Sequence, residues 1–291
     1  MRPVYYIVLL GLTAIVACQS AENNKHKAAL RRPFVKDSLA GNWMITSIAT
    51  NKENKIETDS SWDSLENNIR LTTFSFQPNG TLLIDYATPD LTNANWQFNN
   101  KTKHLLIQYK DTTVPSLSFT LIRYQNDQLT LENNRIRTIP NVQTGSKDTI
   151  HLQYIVQRLR TNDTVPNLFD PEINKWRQKP AQAEDDVAIK NRLRESLFYY
   201  SAYFANIKGN KIPVFNIEKI LCPIKFYSGG IGMKRFKEND NWTKIFFDNK
   251  DAKKAHAMLD HAFTDIKGYP DKGGDYVAEY IIALKLVANA L

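Results

Sequence analysis

At 291 residues and 42% hydrophobic content, the chain is long enough to fold as two ordinary domains without help from disulfides. The formal charge of +8 is interleaved with acids along the whole chain, with no basic run denser than Arg31-Arg32. That spread argues against a nucleic-acid surface and for a solvated, mildly cationic one.

The chain opens with a single cation, Arg2, then an apolar and small-residue run from Val4 to Ala17, then Cys18. This is the layout of a secretory signal, and the run is shorter than the roughly 20 residues a bilayer span requires. Ile15-Val16-Ala17-Cys18 resembles the bacterial lipobox. The resemblance implies cleavage after residue 17, acylation of Cys18 as the new N-terminus, and anchoring of the chain to an envelope membrane. Residues 18–38 then read as a polar tether. Position 19 is Gln and not the Asp of inner-membrane retention, so an outer-membrane address is expected; Glu22 alone does not decide which face. With Cys18 acylated, the remaining Cys222 has no disulfide partner, and its apolar context reads as a buried small side chain.

Residues 39–160 read as β throughout. Asn42–Ala49, Ile69–Phe76, Thr81–Tyr86, Asn95–Phe98, His104–Tyr109, Ser118–Tyr124, Gln128–Glu132 and Thr149–Leu159 carry strand patterns. Asn79-Gly80, Asn99-Asn100, Asn126-Asp127 and Gly145-Ser146 supply turns between them. Roughly eight sequential antiparallel strands hide their edges best by closing, so an up-and-down β barrel is expected.

Gly41-Asn42-Trp43 at the opening of the first strand, followed by the run from Phe74 to Asp85 and by Asn95-Trp96, resembles the lipocalin-like domains of envelope lipoproteins. In that family Gly-x-Trp begins strand one and an arginine of the last strand packs over the indole. On the last strand Ile150, Leu152, Tyr154 and Val156 share one face by alternation, and Arg158 is next on it. The resemblance therefore implies a barrel-closing group of Gly41, Trp43 and Arg158. Barrels of this size either hold one ligand or are filled by side chains. Tyr86, Tyr109, Phe119 and Tyr154 lie on expected apolar faces and are the ligand-binding candidates, or else ordinary core.

Residues 161–182, with Pro166, Pro171 and Pro180, form a linker anchored by Phe169 and Trp176. From 183 to 291 the periodicity is helical. Ile189, Leu193, Leu197, Tyr200 and Phe204 make one stripe, preceded by the acidic run Glu184-Asp185-Asp186 that suits a helix N-terminus. A short element near Asn216–Leu221 follows. Ile224–Tyr227 and Ile231–Phe236 then flank Ser228-Gly229-Gly230 as a hairpin. A helix after Asp248 buries Ala255, Leu259, Ala262 and Phe263 and stops at Gly268 and Pro270. A last helix from Asp275 carries Tyr276, Tyr280, Ala283 and Val287 on one side, with Ile281, Leu284 and Ala288 beside them. The expectation is a small, mostly helical α+β domain with one hairpin.

No nucleophile elbow, His-Glu-x-x-His or phosphate-cradling loop occurs. Gly229-Gly230-x-Gly232 belongs to a hairpin turn, and His256 with Asp260 makes at best two ligands on a helix face, so neither a metal nor a cofactor is expected. The expected function is a non-catalytic envelope lipoprotein that binds a protein partner or a small apolar or glycan ligand. The alternatives are a hydrolase of envelope polymer with its site at the domain junction, and an inhibitor or chaperone gripping a partner through the polar loop at Asn51–Asn67.

Overall fold

A computed structural model describes residues 34–50, 69–140, 147–213, 222–227, 230–233, 241–264, 266 and 273–291. Cys18, the tether to residue 33, the 51–67 loop, the Gly145-Ser146 and Ser228-Gly229 turns, the 216–221 element and the stop at Gly268 and Pro270 lie outside the described residues.

A short helix, α1 (Lys36–Leu39), leads into eight strands. These are β1 (Gly41–Thr50), β2 (Thr73–Phe76), β3 (Thr81–Asp85), β4 (Leu91–Asn99), β5 (His104–Tyr109), β6 (Leu117–Gln125), β7 (Gln128–Pro140) and β8 (Lys147–Arg158). Each pairs antiparallel with its sequence neighbour, and β8 returns to β1, closing the barrel. Register shifts at Ile45/Ser47, Leu121/Arg123 and Glu132/Ile136 mark irregularities of the kind that lets a sheet bend into a closed wall.

Alternation decides what fills the inside. Leu82 and Ile84, Trp96 and Phe98, Leu105 and Ile107, Leu129 and Leu131, and Ile150 through Val156 at every second position all enter one buried cluster. The hairpins are tight for local reasons. Asn126 and Asp127 both take positive φ, 52° and 58°, as a two-residue turn of matching twist requires. Strand β7 runs well past Glu132, where the polar stretch Asn133-Asn134-Arg135 hides it from a hydrophobicity pattern.

The second half comprises α2 (Asp186–Gly209), a β9–β10 hairpin (Ile224–Tyr227 with Gly230–Met233), α3 (Asn249–Thr264) and α4 (Tyr276–Ala290). Asp185 caps α2 by accepting from the Ala188 N–H, and Asp275 caps α4 by accepting from that of Ala278. Helix α2 is the spine. Ile189, Leu193, Leu197, Tyr199, Tyr200, Tyr203, Phe204 and Ile207 are all wholly buried. In α3, Ala255, Leu259 and Ala262 are buried while Phe263 is half-buried. In α4, Tyr280, Ala283, Leu284, Val287 and Ala288 are buried, whereas Tyr276 is 55% exposed because it occupies the first helical position. Cys222 is buried.

The helices are not a separate body. Their hydrophobic cluster takes in Met44, Leu71 and Ala87 from the barrel. The outward-facing row Met44, Thr73 and Asp85, linked across β1, β2 and β3 by strand register, is completely buried. Strand β2 is consequently buried on both faces. Residues 160–182 are docked in this junction: Val165, Leu168 and Trp176 are buried and Phe169 is packed against the helical cluster. Gly209 permits the closest approach, since a Cβ there would stand 2.1 Å from Val165 Cγ2.

Candidate functional site

The barrel has two unlike ends. At the end where β1 begins, Arg158 Cζ lies 4.4 Å from the Trp43 ring centroid. Arg158 Nη1 donates to the Ala40 carbonyl at 3.1 Å, its Nη2 donates to that of Ser38, and Trp43 Nε1 donates to the Leu39 carbonyl at 2.7 Å. One guanidinium thus fastens α1 across the barrel floor, stacked on the indole beneath it. Gly41 makes this possible. Its φ is +118°, a region side chains avoid, and a Cβ would meet Arg158 Nη1 at 3.3 Å.

Above the floor the interior is filled. Leu82, Ile84, Ala94, Leu105 and Leu129 have 0% exposure. These side chains are close-packed core.

The opposite end is built differently. Phe119 and Tyr154 face inward and meet edge to face at 5.4 Å, with Ile48 and Leu131 opposite Tyr154 in register. Tyr109 closes β5 and packs half-buried against the same cluster, beside Leu117 at the start of β6. Tyr86 lies just past the end of β3 and is 42% exposed, on the rim and not within the core. Desolvation first, and the neighbouring Tyr109 hydroxyl after it, raise its pKa, so the Tyr86 hydroxyl stays protonated and can both donate and accept. Of the four aromatics singled out in sequence, two are inside the upper barrel and two make a polar rim above them.

Three tyrosines unremarked as a set in sequence reach the rim from outside. Tyr199 Oη donates to Asp85 Oδ2 at 2.5 Å, Tyr200 Oη to the Ala87 carbonyl at 3.2 Å, and Tyr203 Oη to the Leu71 carbonyl at 3.0 Å. Asp85 also receives Arg177 Nη2 at 2.9 Å on the same oxygen, and its other oxygen accepts from the Ala87 N–H at 2.8 Å. The Arg177 guanidinium lies 4.4 Å from the Tyr199 ring centroid. Burial, and after it the Asp85 charge, holds the Tyr199 hydroxyl well above its ordinary pKa, so it serves as a donor at any physiological pH. The signal in sequence is the spacing 199, 200 and 203, one turn of one helix face.

Neither a family model nor a curated protein matches the sequence. Among solved structures, the chain is similar to bovine odorant-binding protein in complex with a selenium-containing odorant, at 13% identity and a TM-score of 0.23, over 43% of this chain and 73% of that one. At so low a TM-score the barrel rests on its own strand pairing, not on this likeness. Among the described residues, no group of three His, Cys, Asp or Glu side chains is placed to hold a metal ion, and no helix is long and apolar enough to cross a membrane. His256 is half-buried, and Asp260 and His261 are exposed on α3.

Proposed function

We propose that the chain is an envelope lipoprotein, acylated on Cys18 and held at the outer membrane, whose barrel mouth binds a small ligand without chemically changing it. The ligand presents an apolar or sugar ring to Phe119 and Tyr154 and a polar group to the Tyr86–Tyr109 hydroxyl pair. The observation carrying this reading is the gathering of four aromatics at one end of the barrel, Phe119 and Tyr154 edge to face inside it and Tyr86, 42% exposed, at its rim with Tyr109. At the barrel–helix junction the buried carboxylate of Asp85 has both oxygens engaged by Ala87, Arg177 and Tyr199, which favours a structural role over a hydrolytic one.

A soluble probe that couples a flat apolar ring to a sugar, methylumbelliferyl N-acetylglucosaminide, tests this on the detergent-solubilised full chain. Saturable binding of one probe per chain is expected, weakened about five-fold by Tyr109→Phe, the worth of one hydrogen bond of about 1 kcal/mol. Absence of saturable binding contradicts the reading.

A protein partner is the second reading, favoured by the exposed apolar side chains Phe198 at 40% on α2 and Leu286 at 38% on α4. Cross-linking from these two helices in intact envelopes would then trap one recurrent protein, and a random collection would remove the idea.

A further inference from the structure

We propose that helix α2 holds the rim of the barrel and thereby sets the binding strength of its mouth, with Tyr200 and Tyr203 as positioning residues; this rests on the ligand reading above. Tyr86 is the more exposed of the two rim tyrosines, and its two chain neighbours are both gripped from α2. On one side the Asp85 carboxylate takes Tyr199 and Arg177. On the other, the Ala87 carbonyl takes Tyr200, while the Ala87 N–H turns back onto Asp85.

Two of the gripped residues adopt backbone conformations that they would not hold unaided. Ala87 has φ 56° and Leu71 has φ 68°, the left-handed region that residues with a Cβ rarely enter. Such strain persists where the surroundings over-determine it. Here the surroundings are the hydroxyls of Tyr200 and Tyr203, delivered to those two carbonyls from one buried turn of α2. Leu71 is further tied by its N–H to the Ile45 carbonyl at 2.8 Å, so the grip extends to the wall of β1 beneath the mouth.

The chain between the end of β3 and the start of β4 is therefore shaped by the helical half, and Tyr86 stands beside Tyr109 at the mouth because α2 fixes the backbone on each side of it. Any ligand gripping Tyr86 draws on that order, and by linkage its binding must tighten α2 in return.

Hydrogen exchange of the full chain in detergent, wild type against Tyr200→Phe, tests this, because the ring and its packing are kept while the donor is removed. Exchange at Ala87 and Thr88 is expected to rise about ten-fold, with Leu105 and Ile107 unchanged, as for one released rim contact. Affinity for methylumbelliferyl N-acetylglucosaminide should fall about five-fold or more, and probe binding to the wild type should slow exchange across 199–204. Should Tyr200→Phe fold poorly, Tyr203→Phe gives the same comparison from the Leu71 side. Unchanged exchange at the rim overturns the proposal, as does faster exchange with unaltered affinity. If the wild type binds no probe, the ligand reading falls, and the exchange rates alone decide whether α2 holds the rim.

Discussion

The Tyr199 hydroxyl and the Arg177 guanidinium converge on a single oxygen of Asp85, at 2.5 Å and 2.9 Å, inside a junction where Asp85 and Tyr199 are wholly buried. The carboxylate sits on the outer wall of a barrel, a place that ordinarily faces solvent. Its burial makes the barrel and the helices one cooperative structure, because a charge left there without its partners would be costly.

Asp85→Asn should accordingly destabilise the whole chain by about 3–5 kcal/mol, the usual cost of stranding one member of a buried pair. Urea unfolding is expected to shift to a lower midpoint as one transition for both halves. Replacing both members, as Asp85→Leu with Arg177→Met, should cost less than the sum of the single changes.

Arg158→Lys tests the barrel floor. The ammonium keeps the charge but loses the planar stack on Trp43 and the fork that reaches the Ser38 and Ala40 carbonyls. A loss of about 1–2 kcal/mol in denaturant unfolding is expected, together with a change in the Trp43 near-ultraviolet signal.

At the junction, Gly209→Ala should destabilise by about 1–3 kcal/mol, since its methyl group would overlap Val165. Pairing it with Val165→Ala makes the space and should recover most of the loss in thermal unfolding. An equal loss in the double variant would mean the contact is not what Gly209 serves.

Asp275 gives the pH dependence. Its hydrogen bond from Lys208, then that from the Ala278 N–H, hold its carboxyl below the ordinary value. A depressed folded pKa contributes stability that is present above the unfolded value of about 3.9 and is lost as pH falls through the folded one. Asp275→Asn keeps a capping oxygen on α4 but should flatten this acid-side decline, measured as melting temperature between neutral and strongly acidic pH.

The barrel was legible in the sequence because its signal is local. Leu82-x-Ile84, Trp96-x-Phe98 and Ile150 through Val156 alternate cleanly, and Asn79-Gly80 and Asn126-Asp127 punctuate them. Helix starts were legible for the same reason, through Asp185 and Asp275. The junction was not. Thr73, Ser75 and Asp85 are polar and fall on the outward face by period two, yet all three are buried, and Asp85 is held by Tyr199, more than a hundred residues away in the chain. Tyr86 was readable as aromatic but not as rim, since its place depends on β3 ending at Asp85 and on Ala87 turning the chain away. In α2, Tyr199 and Tyr203 flank the apolar stripe and pass as ordinary core until their hydroxyl partners are seen.

Native mass spectrometry of the full chain, extracted from envelopes in mild detergent, tests the central claim most directly. The account predicts a covalent mass increase from acyl chains that vanishes in Cys18→Ser, together with a non-covalent small ligand that is lost in Tyr109→Ala. An unacylated chain, or one whose bound mass is indifferent to Tyr109, would contradict it.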